Sequence, residues 1–212
     1  LTMTSGLDEQ CRYRCDPGTE WSYNLGPTWH TLKKVLAHAA AASLNDVLDA
    51  WLGQHLSFEQ SRFISRSLDV PDDLRNAVEY PDGSPIEGFT TTARDLVRFG
   101  LAVIGGGRVN GTTLGIDEAY LAESTSSSTD LNPAYGYLWW LNGKRFASVP
   151  GWGRIDGPLF RFAPRDSIAA MGALGRSVHI IPSRQLVVVR MGAAPPAGSK
   201  RAGTILERLK LL

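Results

Sequence analysis

The sequence predicts an α+β fold in which an antiparallel sheet is covered by helices and accompanied by a helical region. Helical periodicity dominates residues 19–132, and short strand-like runs separated by turn signals follow in residues 133–212. With 212 residues, of which 43% are hydrophobic and 20% charged, the chain can bury one core and is treated as one domain. A formal net charge of +1 predicts no nucleic-acid partner.

Three helices are predicted in the first part, each from a start signal followed by apolar residues at helical spacing. Pro27 stands near the start of the first helix, which should extend to about Ala42. Ser43, followed three residues later by an acidic residue, forms a capping box for the second helix. Thr92 should begin the third, and glycines 105–107 should end it. Because this glycine run follows a helix, it does not predict a phosphate-binding loop.

The second part predicts strands joined by turns. Trp139 and Trp140 lead into Asn142-Gly143, a strong hairpin signal, so residues 146–149 should return as the paired strand. Three further strands, joined as an antiparallel meander, and a covering helix complete the prediction: residues 167–173, 177–181 and 185–191, and residues 199–212 as the helix.

Six short strings occur in a fixed order along nearly the whole chain. They are LTMTSGL at the start, PGT with WSYN, TTARDLVRFG, YGYLWW, AMGALGR and finally IPSRQLVVV. Together they resemble the serine β-lactamase and penicillin-binding protein family, which includes class C β-lactamases, DD-peptidases, esterases and 6-aminohexanoate-dimer hydrolases. The resemblance implies that residues 1–212 form one partial β-lactamase-like domain, incomplete at its N-terminus.

The resemblance also implies acyl transfer through a serine, which attacks a carbonyl and is later released from the acyl-enzyme by water. The serine and its lysine partner form a Ser-x-x-Lys motif in this family, and no such string occurs in the sequence. The nearest imitation, Thr31-Leu32-Lys33-Lys34, lies inside the first predicted helix. We therefore expect the nucleophile in an N-terminal segment outside these residues, and an isolated chain that is inactive.

Carried over position by position, the family's functional residues predict a site with two sides. Tyr23 resembles the general base and later acid, and the backbone N–H of Ala173 resembles an oxyanion donor. The other residues predicted to bind substrate are Asn24, Ala170, Gly172, Trp139 and Trp152. Of Trp139 and Trp140, only one can face the site, because adjacent strand residues point to opposite faces.

Two departures from the family's pattern narrow the class of substrate that the resemblance implies. Leu25 stands where an asparagine or serine is usual, and Met171 replaces a charged or hydroxyl residue. Both departures favour a small-molecule amide or ester substrate over a penicillin-like one.

Other classes of function have weaker support. The histidines show no metal-ligand spacing with Cys11 and Cys15, which are either free thiols or a local disulfide, so no metal or cofactor is predicted. The sequence contains no G-x-S-x-G string, which would indicate an α/β-hydrolase, and no H-E-x-x-H string, which would indicate a metal hydrolase. The main alternative is a non-catalytic relative that binds acyl or cell-wall-like ligands or a partner chain. The compartment stays open between bacterial cytoplasm and periplasm or secretion.

Overall fold

The computed structural model describes residues 1–65, 87–172 and 175–193. The predicted terminal helix over residues 199–212 lies outside these residues. The helices are α1 (Thr31–Ala40), α2 (Leu44–Leu48), α3 (Gln54–Leu56), α4 (Ala93–Ile104) and α5 (Glu118–Ser124). The strands are β1 (Arg62–Ser65), β2 (Glu87–Thr90), β3 (Arg108–Val109), β4 (Thr112–Thr113), β5 (Trp140–Leu141), β6 (Phe146–Val149), β7 (Gly153–Asp156), β8 (Ile168–Met171), β9 (Ser177–Ile181) and β10 (Leu186–Arg190).

Local capping signals place two of the three predicted helices, α2 and α4. The Ser43 hydroxyl accepts from the backbone N–H of Asp46 at 3.1 Å, and the Asp46 carboxylate accepts from the backbone N–H of Ser43 at 3.3 Å. The capping box that begins α2 is thus confirmed. The Thr92 hydroxyl caps α4 in the same way, and α1 is preceded by a π-helical turn, Gly26–His30. Among the described residues, none of the helices is both long and apolar enough to cross a bilayer.

The central feature is a four-stranded antiparallel sheet with the order β10-β9-β8-β5. Its last three strands in sequence form the predicted meander, and β5 joins the free edge of β8. The register places Trp140 opposite Ala169, and Ala169 opposite His179. These three residues therefore lie in one row across the same face of the sheet.

The hairpin predicted at Asn142-Gly143 is wrong in its pairing, although the bounds of its returning strand are confirmed. Strand β6 pairs with β7, not with β5. The Asn142 side chain is buried and donates to the carbonyl oxygens of Phe160, Ala163 and Pro164 while accepting from the Phe160 N–H. Asn142 is therefore a tether for the segment that returns to the sheet rather than the corner of a hairpin.

Two apolar layers cover the two faces of the sheet. On one face α4 packs against Trp139, Leu141 and the strand residues that point the same way. The approach is close, since a Cβ on Gly100 of α4 would lie 2.6 Å from a methyl of Val187 in β10. The opposite face is covered by aromatic residues and by the N-terminal segment, and its buried members are Met3, Tyr135, Trp140, Phe160 and Ala169.

Candidate active site

Tyr23 lies in an aromatic cluster formed by Trp21, Tyr23, Tyr135 and Trp140. Its ring stacks on Trp140, with centroids 5.9 Å apart, and meets Tyr135 edge-on at 6.2 Å. Trp21 touches all three other rings at centroid distances between 5.5 and 6.3 Å. Edge-to-face and offset contacts of this kind stabilise a fixed arrangement of rings. The cluster therefore holds the Tyr23 phenol against the central sheet.

The backbone around Tyr23 is fixed by contacts with the first residues of the chain. The Ser22 N–H donates to the Met3 carbonyl at 2.8 Å, and the Asn24 side-chain amide donates to the Leu7 carbonyl at 2.5 Å. The Glu9 carboxylate accepts from the Leu25 N–H at 3.0 Å and, a residue further on, from the Gly26 N–H at 3.2 Å. These bonds occupy donors at the start of the helical segment.

Gly26 allows the approach of Glu9. A Cβ at this position would lie 2.2 Å from the Glu9 carbonyl oxygen, too close for any side chain. Gly26 therefore fits the turn that follows Tyr23. At position 25 the backbone N–H, not the side chain, makes the contact with Glu9. This contact therefore permits a leucine where the family usually has a polar residue.

The phenol of Tyr23 is held in its neutral form. Burial raises the pKa of Tyr23 above its ordinary value, the neighbouring Trp29 side chain acts in the opposite direction, and the Glu9 carboxylate raises it further. Burial likewise raises the pKa of Tyr135, and the nearby Tyr23 phenol raises it further. At neutral pH both groups are therefore proton donors unless a cation stabilises the phenolate.

An open cavity of about 360 Å³ lies beside Tyr23. One wall is the N-terminal segment and the other is the β6–β7 hairpin; the lining residues are Trp21, Ser22, Tyr23, Ser148, Val149, Pro150, Gly153 and Arg154. The volume falls within the range of small-molecule sites, about 300–1,000 Å³.

Several buried polar atoms on this side of the sheet have no hydrogen-bond partner within the part of the chain that the structure describes. They are the Trp21 Nε1, the Tyr135 hydroxyl and the His179 Nδ1. Tyr135 is fully buried, and His179 is 1% exposed and packs edge-on against Phe160. Unsatisfied buried polar atoms are costly, about 1–3 kcal/mol each, so native proteins retain few of them.

The sequence-predicted site residues are only partly brought together. Trp152 is 61% exposed at the tip of the β6–β7 hairpin, next to the cavity wall. Gly172 follows β8 and its N–H donates to the Arg176 carbonyl at 2.8 Å. Met171 packs against the layer that contains Tyr23, whereas Ala170 packs on the α4 face. Ala173 lies outside the described residues.

Two predicted binding residues have other roles. Asn24 is 9% exposed and its amide is engaged by Leu7, so it fixes the loop instead of facing the cavity. The ring of Trp139 stacks on Phe99 of α4 at 6.1 Å, on the face away from Tyr23. Trp139 and Ala170 are therefore corrected to core residues, because strand alternation turns them toward α4.

Two residues near Tyr23, Trp21 and Arg154, were not predicted from the sequence, and a third, Trp140, was named only as an alternative to Trp139. Trp21 shares a side with Tyr23 because the two are separated by one residue, a signal that was available. Trp140 was one of two alternatives that alternation alone could not separate. Arg154 lines the cavity from β7, and its position depends on the pairing of β6 with β7, which the sequence did not reveal.

Among residues 1–65, 87–172 and 175–193, no group of three or more His, Cys, Asp or Glu side chains is placed to hold a metal ion. Cys11 and Cys15 are free thiols.

Comparison with known proteins identifies the family. The sequence profile of the β-lactamase family matches residues 1–211. A β-lactamase structure from Mycobacterium bovis superposes with a TM-score of 0.64 at 17% identity, over 99% of this chain and 71% of that one. A penicillin-binding protein from Bacillus halodurans gives a TM-score of 0.63 at 16% identity, over 99% and 70%. A 6-aminohexanoate-dimer hydrolase candidate from Bacillus anthracis gives 0.63 at 18%, over 95% and 47%.

The fold and the site thus define a serine-hydrolase-like α+β protein. The chain belongs to the β-lactamase family. It spans between 47% and 71% of the length of the three solved structures above. No curated protein sequence matches it.

Proposed function

We propose that this chain carries the proton-transfer half of a serine hydrolase that cleaves small amides or esters through an acyl-enzyme. The observation that carries the proposal is that Tyr23 belongs both to the aromatic cluster and to the wall of the cavity. Its ring is fixed in the aromatic cluster, and the same residue forms part of the wall of a cavity of about 360 Å³. A proton-transfer group must be both fixed in direction and accessible to the substrate.

The chemistry proceeds in two balanced stages. A serine oxygen bonds to the substrate carbonyl carbon, the serine proton passes to the base, and the bond to the leaving alkoxide or amide breaks as that group takes up a proton. Water then adds to the acyl carbon, loses a proton and displaces the serine, which recovers its hydrogen. The products are a carboxylic acid and an alcohol or amine.

Tyr23 is proposed as the group that exchanges these protons. Its raised pKa makes the neutral phenol the resting form, which suits donation to the leaving group. Acting as a base requires a cation close enough to stabilise the phenolate. The proposal assigns that cation, with the nucleophile, to a Ser-x-x-Lys segment outside these residues, N-terminal to them in the same protein.

The end of β8 is proposed as the second side of the site. Met171 packs in the layer that contains Tyr23, and Gly172 follows it directly after β8. The backbone N–H of Ala173 is proposed as an oxyanion donor, worth about 10²- to 10³-fold in rate. Gly172 leaves room for a substrate along this strand, since the atoms of the described residues that a Cβ there would meet belong to Arg176, at 3.8 Å and beyond. Trp152 is proposed as a cover over the cavity.

The test is hydrolysis of 4-nitrophenyl butyrate by the protein expressed from its complete reading frame. We expect Tyr23→Phe, which removes only the hydroxyl, to lower kcat at least 100-fold, the usual size of general acid–base catalysis. The matched control is Tyr120→Phe, which removes a hydroxyl from a half-exposed ring on α5. Full activity of Tyr23→Phe, or equal losses in both variants, would reject the assignment and favour a ligand-binding protein.

A further inference from the structure

Two residues on one face of the β6–β7 hairpin, Ser148 and Arg154, line the cavity. Ser148 pairs with Arg154 in its register, and Phe146 with Asp156, so these four side chains share a face. The hairpin is held in place by the buried Asn132, whose side-chain amide donates to the Ser148 carbonyl at 3.0 Å and whose oxygen accepts from the Ser148 N–H at 3.1 Å. The wall opposite Tyr23 is therefore fixed to the body of the protein.

Arg154 is oriented by two contacts on this face. Its guanidinium carbon lies 3.8 Å from the centroid of the Phe146 ring, and its Nε donates to the Asp156 carboxylate at 2.9 Å. A cation stacked on an aromatic face and tethered at Nε is restricted in direction. Because Asp156 engages Nε, both terminal nitrogens stay available as donors with respect to the residues that the structure describes. Those nitrogens form the edge that binds carboxylates.

The charges near the cavity favour an anion. Arg154 is the one charged residue among the eight that line it. Asp156 is 81% exposed, and an exposed ion pair contributes at most about 1 kcal/mol, so Asp156 competes weakly. Glu9 is the nearest acidic group on the Tyr23 side, and its carboxylate is engaged by the backbone N–H groups of Leu25 and Gly26.

We propose that Arg154 makes the cavity a subsite for an anionic group of the substrate, most simply a carboxylate. Val149 and Pro150 also line the cavity and give it an apolar wall, which suits a short methylene chain that joins the carboxylate to the scissile carbonyl. Esters and amides of short dicarboxylic acids are then preferred over uncharged analogues of equal length. This inference rests on the proposed function, because it assumes that Tyr23 marks the reacting end of the cavity.

The test compares two esters with the same leaving group and acyl chains of equal length, the mono-4-nitrophenyl ester of glutaric acid and 4-nitrophenyl hexanoate. We expect the wild-type protein to favour the glutaryl ester in kcat/KM by up to about fivefold, the upper value for an ion pair of a side chain that is 60% exposed. Arg154→Met keeps an apolar stem over Phe146 but removes the charge, and should abolish the preference for the glutaryl ester. Arg154→Lys should retain part of it.

Arg145→Met is the matched control. Arg145 also lies over Phe146, at 5.3 Å from its centroid, but does not line the cavity. The glutaryl preference should survive this change. Equal rates for both esters in the wild type, with hydrolysis still dependent on Tyr23, would overturn the subsite and leave the proposed function standing.

A binding measurement distinguishes failure of the proposed function from failure of the anion subsite. If neither ester is hydrolysed, the proposed function fails, and the subsite is judged by titrating the protein with glutarate and following the NMR signal of the Trp21 indole N–H. Saturable binding by the wild type and Arg145→Met, but not by Arg154→Met, supports the anion subsite. Absence of binding by the wild type, or equal binding by all three, overturns it.

Discussion

The ring of Trp140 stacks on the ring of Tyr23, with centroids 5.9 Å apart and planes 25° from parallel. The two residues come from opposite halves of the sequence, and Trp140 pairs with Ala169 in the central sheet. The stack therefore connects the phenol directly to the central sheet. Trp139, its neighbour, makes an equivalent stack on Phe99 on the other face, which gives a matched pair for experiment.

Trp140→Leu and Trp139→Leu should destabilise the protein by similar amounts, about 3 kcal/mol each, because both remove a large buried aromatic side chain. Their effects on activity should differ. Only Trp140→Leu removes the surface on which Tyr23 rests, so only this change should lower the turnover of a chromogenic ester under conditions where both variants are folded. Chemical unfolding and initial rates measure the two effects, and equal rates in both variants would contradict the role given to Trp140.

Glu9→Gln should lower the pKa of Tyr23. The carboxylate of Glu9 raises that pKa through its negative charge, and the amide oxygen of glutamine can still accept from the Leu25 N–H. Titration of ¹³C-labelled tyrosine by NMR measures the change. Glu20→Gln is the control, since Glu20 pairs with the exposed Arg14 at 2.9 Å. A Tyr23 titration that is unchanged or moves upward in Glu9→Gln would rule out this electrostatic contact.

Asp95→Asn should destabilise the protein by roughly 3 kcal/mol at neutral pH, the size of hydrogen bonds to one buried charged group. Asp95 is fully buried, and its carboxylate accepts from the Glu59 and Gln60 N–H groups, the Ser61 hydroxyl and Arg98. It fixes the segment before β1 to the start of α4. The control is Asp130→Asn at a fully exposed carboxylate, which should leave the unfolding midpoint unchanged.

The same carboxylate makes stability depend on acidity. Burial acts to raise the pKa of Asp95, but the bonds from Gln60, Ser61, Glu59 and Arg98 together hold it below its ordinary value of 3.8. A group with a lowered folded-state pKa contributes stability above about 3.8 that is lost as pH falls through the lower value. The acid limb of the stability curve should therefore be steeper in the wild type than in Asp95→Asn. Parallel limbs would contradict this account.

His179→Phe should remove a second acid-sensitive contribution, in a higher pH window. Burial lowers the pKa of His179 from 6.5 to about 4, so the unfolded chain binds the proton first as pH falls. Stability is then lost between pH 6.5 and 4, by about 3 kcal/mol in the limit. Equilibrium unfolding across this range should show a shallower slope for His179→Phe. The exposed His38→Phe is the control, and an equal slope in wild type and His179→Phe would contradict the prediction.

Local chemistry explains which parts of the fold were predictable. The capping box of Ser43 and the cap at Thr92 depend on residues three positions apart, so the sequence alone contains them. The meander β8-β9-β10 follows from short runs and tight turns. Asn142-Gly143 failed as a hairpin because the Asn142 amide bonds to residues about twenty positions later, which no local pattern encodes.

The chemistry of the site could be predicted from the sequence, but the full set of residues that form the site could not. Resemblance of the WSYN string led to Tyr23, and alternation showed that Trp139 and Trp140 face opposite ways. Which tryptophan meets Tyr23 depends on the face that α4 covers, and that is decided by packing across the whole chain. Arg154 enters the site through the pairing of β6 with β7, a relationship between two short strands of mixed composition.

Asn142 has a consequence for how this protein can change. Its backbone N–H donates to the Ser167 carbonyl at 2.9 Å and its side chain binds the returning chain, so both ends of the segment between Asn142 and Ser167 are attached at this residue. Asn132 makes a second attachment, because its side chain binds the backbone of Ser148 in the hairpin. Recombination or design can exchange the hairpin, and with it the residues that line the cavity, only where the replacement keeps both attachments.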